Sequence, residues 1–104
     1  MYNLDEIPSK EFFPGFKGKL IHTDSMTLAY WDIEEGCDLP EHSHVHEQVV
    51  NLLEGKFELT VDGTTHVLEA GAVFPLASNV VHSGRALTFC KILDVFTPVR
   101  EDYR

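Results

Sequence analysis

The chain has 104 residues, 43% of them apolar, enough for one domain that buries roughly two-thirds of the surface its unfolded chain exposes. Eight Lys and Arg against seventeen Asp and Glu give a formal net charge of −9, and so acidic a surface repels phosphate backbones and anionic lipid. No nucleic-acid or membrane partner is therefore expected, and no stretch approaches the roughly 20 apolar residues of a spanning helix.

The opening segment carries Asp5, Glu6 and Pro8 where a secretory leader would be apolar, so a cytoplasmic protein is expected. Residues 1–15 read as an arm packed on the outside of a single domain, 1–104. Beyond the arm, no long helix is legible. The dominant pattern has period 2, which marks strands with one buried face. Candidate strands cover 19–23, 27–33, 49–53, 56–61, 64–68, 73–76 and 87–96, separated by Asp24-Ser25, Glu35-Gly36, Glu54-Gly55, Asp62-Gly63, Ala70-Gly71, Asn79 and Ser83-Gly84. Asp62-Gly63 is a two-residue hairpin signal, because both central positions of that turn favour φ > 0. The register it imposes sets His66 opposite Leu59. Short strands at this spacing point to an all-β sandwich or small barrel. Residues 49–53 and 92–96 are apolar on both faces, so an outer face should be covered by a second copy, making a homodimer. Cys37 and Cys90 are too few for a disulfide framework and read as reduced, small apolar residues.

The segment from Gly36 to Gln48 holds His42, His44 and His46. On a strand, residues i and i+2 share a face, so His42 and His44 can aim two imidazoles at one point. Gln48 can offer a carbonyl oxygen from the next strand, and His82 adds a distant imidazole. The alternative is a solvated surface strand. His46 has the parity to join, yet the chain must turn beside it. His22 has no partner spacing.

Near the end, one parity of residues 90–96 carries Cys90, Ile92, Asp94 and Phe96. A carboxylate among apolar side chains is costly to bury unless paired or protonated. Asp94 therefore reads either as the partner of an arginine or as an acid/base group with a raised pKa. After Pro98, Arg100 either folds back over the barrel mouth or lies in a solvated tail.

Gly36, His42, His44, Gln48 and Gly55, followed by Gly71, Ala77, Asn79 and His82, keep the spacing of two paired motifs, and in this the chain resembles the cupin superfamily. It departs at Gln48, where the pattern has Glu, and at Ala77 and Asn79, where it has Pro and Gly; Asn tolerates the left-handed conformation best after Gly. The resemblance implies a double-stranded β-helix, a jelly-roll barrel, holding one divalent transition metal (Ni, Zn, Fe, Mn or Cu) on His42, His44, Gln48 and His82. The run from His42 to Gln48 and the ending from Asp94 to Tyr103 are similar to the pectin-degradation cupins that linearise unsaturated uronates. That similarity implies Asp94, Phe96 and Arg100 as active-site residues and a small anionic sugar as substrate. Asp94 would move the proton, Phe96 would face the sugar ring and Arg100 would hold its carboxylate. The rival expectations are an Fe-dependent cupin dioxygenase, a sugar isomerase, and a non-catalytic module that binds metal or sugar.

Overall fold

Alternating apolar and polar side chains let a strand bury one face only, and ten such strands make up the computed structural model, which describes residues 1–104. They are β1 (Lys10–Phe13), β2 (Phe16–His22), β3 (Thr27–Ile33), β4 (Asp38–His42), β5 (Glu47–Glu54), β6 (Lys56–Val61), β7 (Thr64–Glu69), β8 (Val73–Leu76), β9 (His82–Ala86) and β10 (Cys90–Thr97). All pairings are antiparallel, in one sheet of order β1-β2-β3-β10-β5-β8 and another of order β4-β9-β6-β7. This is the expected all-β jelly roll. Its core sits between the sheets. Trp31, Ile33, Leu52 and Ile92 come from one side, and Phe57, Leu59 and Leu68 from the other. Short 3-10 turns at Leu4–Glu6 and Glu101–Tyr103 flank the strands, and no helix is long and apolar enough to cross a membrane.

The hairpin between β6 and β7 forms as the sequence predicts, with φ of 48° at Asp62 and 82° at Gly63 and with Leu59 opposite His66. Asn79 adopts a φ of 65° and holds the turn that the motif assigns to glycine. Along β10, Cys90, Ile92, Asp94 and Phe96 are buried while the residues between them are not. Three expectations change. Residues 10–13 of the arm form an edge strand on β2, with Phe12 edge-on to Trp31 at 5.4 Å. Ser83-Gly84, read as a turn, lies inside β9. There Gly84 faces Phe57 so closely that a Cβ would come within 2.3 Å of its ring. The glycine serves close approach rather than a bend. Finally, residues 87–89 precede β10 rather than opening it.

Candidate metal centre and substrate cavity

Antiparallel pairing of β4 with β9 puts His42 directly opposite His82, their ring centroids 4.3 Å apart. His44 arrives differently from the expected alternation along one strand. β4 ends at His42, and His44 sits in the bend before β5. The Asn79 N–H donates to the His44 carbonyl at 2.8 Å and ties this bend to the turn that leads into β9. The His44 ring then lies 5.5 Å from that of His42 and 5.1 Å from that of His82, centroid to centroid. The potential ligand atoms of the three histidines fall within 4.8 Å of one another.

Backbone carbonyls fix how these rings point. The Nδ1 atoms of His42, His44 and His82 lie 2.9, 2.9 and 3.0 Å from the carbonyls of Pro40, His46 and Val80. A carbonyl only accepts, so each Nδ1 carries a proton and donates it, which leaves each neutral ring a lone pair on Nε2. Burial, helped by the nearby Arg100 charge, holds His44 down at about 4, and burial lowers His82 as well, so both are neutral at ordinary pH. Gln48, buried on β5, sets its Oε1 3.1 Å from His44 Nε2, and His82 Nε2 is buried with no partner. Two acceptors facing each other need something positive between them. A divalent cation bound by three imidazoles and an amide oxygen satisfies all these lone pairs, so the donor set fits a transition metal of the kind imidazole prefers. His46 contributes its carbonyl to His44 rather than a ring nitrogen to the cluster.

Asp94 lies on the inward face of β10, opposite Ala29 and Val50, with only 9% of its surface exposed. Burial pushes its carboxyl up to about 6; Gln48, Trp31 and Arg100 pull weakly the other way. Its Oδ1 has no partner. Asp94 is thus not the ion-pair partner of an arginine. Arg100 donates instead through Nε and Nη2 to Asp102, at 3.0 and 2.8 Å. Arg100 does fold back as one reading had it, and it lines the same cavity as Asp94, Gln48 and the three histidines. Phe96 turns its ring face to the Arg100 guanidinium at 4.7 Å and meets His44 edge-on.

Two histidines stay away from the cluster: His66 packs on Phe74 at 4.8 Å, and His22 bonds through Nδ1 to Thr27 Oγ1 at 2.9 Å. The sequence reading missed Trp31, Asp102 and Tyr103. Trp31 shares the inward parity of Ala29 and Ile33, a pattern visible in the sequence. Asp102 and Tyr103 sit in a 3-10 turn too short to show a period.

Residues 29–96 match the family described as Cupin domain. The chain belongs to the cupin family. Among proteins similar to this cupin is the pectin degradation protein KdgF of Dickeya dadantii, 28% identical over 102 residues, covering 95% of this chain and 93% of that protein. The structure of KdgF from Halomonas sp. superposes with a TM-score of 0.95 at 24% identity, over 100% of this chain and 97% of the other. An RmlC-like cupin from Shewanella frigidimarina also reaches 0.95, at 27% identity, over 100% and 95% of the two chains.

Proposed function

We propose that this cupin linearises a 4,5-unsaturated uronate in pectin breakdown, converting the ring form to the open-chain 5-keto-4-deoxyuronate. The D. dadantii relative's description as a pectin degradation protein supports the substrate class. The observation that carries the reading is the buried Asp94 carboxyl, whose Oδ1 has no partner and which shares one cavity with a convergent imidazole cluster and an arginine.

His42, His44, Gln48 and His82 would hold the single divalent ion, and once bound it supplies Lewis-acid polarisation of a substrate oxygen. Because all four ligands are neutral, the ion keeps its full charge, which with Arg100 makes the cavity attractive to a carboxylate despite the net −9. Arg100 holds that carboxylate. Asp94, poised near the working pH, takes the proton of the anomeric hydroxyl while the carbonyl forms and the bond from carbon 1 to the ring oxygen breaks. The ring oxygen departs as an enolate, and Asp94 returns the proton to carbon 4 as the ketone forms. Atoms and electrons balance without an oxidant, so the reaction is an isomerisation. Phe96 backs the guanidinium and keeps water from it.

The same reading takes the protein as a cytoplasmic homodimer. Leu28, Tyr30, Val49, Leu93 and Val95 lie side by side on the outer face of the six-stranded sheet, only half-buried within one chain, and a second copy would cover them. The test of function is direct. Metal-loaded protein should abolish the ultraviolet absorbance of the conjugated double bond of a 4,5-unsaturated uronate, and no loss with any such uronate would reject the assignment.

A further inference from the structure

Arg100 is held on nearly every side. Its backbone N–H donates at 2.9 Å to Oγ1 of Thr27, a fully buried hydroxyl that is itself paired with His22 Nδ1. The faces of its guanidinium meet the rings of Phe96 and Tyr103, whose centroids lie 4.7 and 4.1 Å from Cζ. A guanidinium has five N–H donors arranged in a rigid fork. Asp102 takes the side edge, one N–H on Nε and one on Nη2. The Asp102 side chain is 56% exposed and that of Arg100 only 8%, so the carboxylate grips from the solvent side. With the faces and the side edge filled, the edge between Nη1 and Nη2 is what remains for the cavity that Arg100 lines.

We infer that Asp102 is a positioning residue that makes Arg100 a one-edged receptor for the planar carboxylate of a uronate. The inference rests on the uronate reading above and adds how that substrate is selected. Asp102 fixes the plane of the guanidinium, so two parallel N–H bonds to a planar anion add selection beyond the attraction that the cavity's charge supplies. A neutral sugar leaves that edge unsatisfied and gains little.

The experiment uses the full chain, with galacturonate as an unreactive probe and galactose as its neutral counterpart. In spectra of protein carrying nitrogen-15 in its arginines, galacturonate should shift the Arg100 Nη signals and leave the Nε signal, already bonded to Asp102, in place; galactose should shift neither. Asp102→Asn keeps the size but loses the charge and one acceptor. It should weaken galacturonate binding roughly tenfold or more and raise KM for the unsaturated uronate by a similar factor, with kcat and metal content near wild type and a melting temperature lowered by the loss of Arg100's partner. Asp102→Glu, which restores the charge, should recover most of the affinity. Unchanged galacturonate binding in Asp102→Asn overturns the inference, as does a wild type that does not prefer galacturonate to galactose. A wild type without turnover that still binds galacturonate in an Asp102-dependent way rejects the proposed reaction and upholds the positioning role.

Discussion

Replacing Asp94 by Asn removes a titrating group from the interior while nearly preserving its shape, and its effect on stability follows from the position of the carboxyl. The ordinary value is 3.8, and burial raises it to about 6 in the folded chain. Below the ordinary carboxylate range both states are protonated and the group costs nothing. As pH rises from about 4 to about 6, the unfolded chain gives up its proton first, so the folded state loses ground; above about 6 the loss is complete. At about 1.4 kcal/mol per pKa unit, the full loss is about 3 kcal/mol. Asparagine does not titrate. The melting temperature of Asp94→Asn minus that of the wild type should therefore grow between about pH 4 and about pH 8, by more than about 10 °C for a domain of this size. Packing differences between the two side chains cancel in that comparison. The assay is paired thermal unfolding with metal chelated, so that the ion does not contribute. A difference that stays constant with pH would refute the reasoning about burial. The same variant, loaded with metal, should turn over the unsaturated uronate on the order of 10²–10⁴-fold more slowly if Asp94 moves the proton.

Elemental analysis of untagged protein should find one divalent ion per chain, lost in both His42→Ala and His82→Ala; unchanged metal content in both would reject the centre. Sedimentation at micromolar concentration should give a dimer, and a single 11.8 kDa species would show that the outer sheet face stays bare. Gly84→Ala should lower the unfolding free energy by roughly 1–3 kcal/mol of overpacking, read as a lower urea midpoint, because its Cβ would sit 2.3 Å from the Phe57 ring; an unaltered midpoint would mean that Phe57 moves aside freely.

Much of this architecture is written in local chemistry. The Asp62-Gly63 turn, the left-handed Asn79 and the alternation along β10 all depend on neighbours in sequence, and each is legible there. β9 is not, because a glycine required for close approach to Phe57 looks the same as a glycine required for a turn. The convergence of His42 and His44 was legible but its cause was not: the second ring leaves the strand and is aimed by carbonyl and turn contacts from Asn79 and His46. Arg100 as a cavity residue could be anticipated from its place after the last strand. Its pairing with Asp102 could not, since a 3-10 turn carries no periodicity and the choice between Asp94 and Asp102 is made in three dimensions.

The strand order distributes rigidity unequally between the two halves of the site. β10, which carries Asp94 and Phe96, is bonded on both sides by β3 and β5, whereas β4, which ends at His42, is the outermost strand of its sheet. An outermost strand has half its backbone groups free of the ladder and opens at lower cost than a central one. His42, and His44 in the segment after it, can thus adjust to ions of different radius, while His82 on the inner strand β9 and the Asp94 carboxyl stay in place. Exchange of one divalent metal for another should then be cheap in this protein, and a change in the organic chemistry expensive.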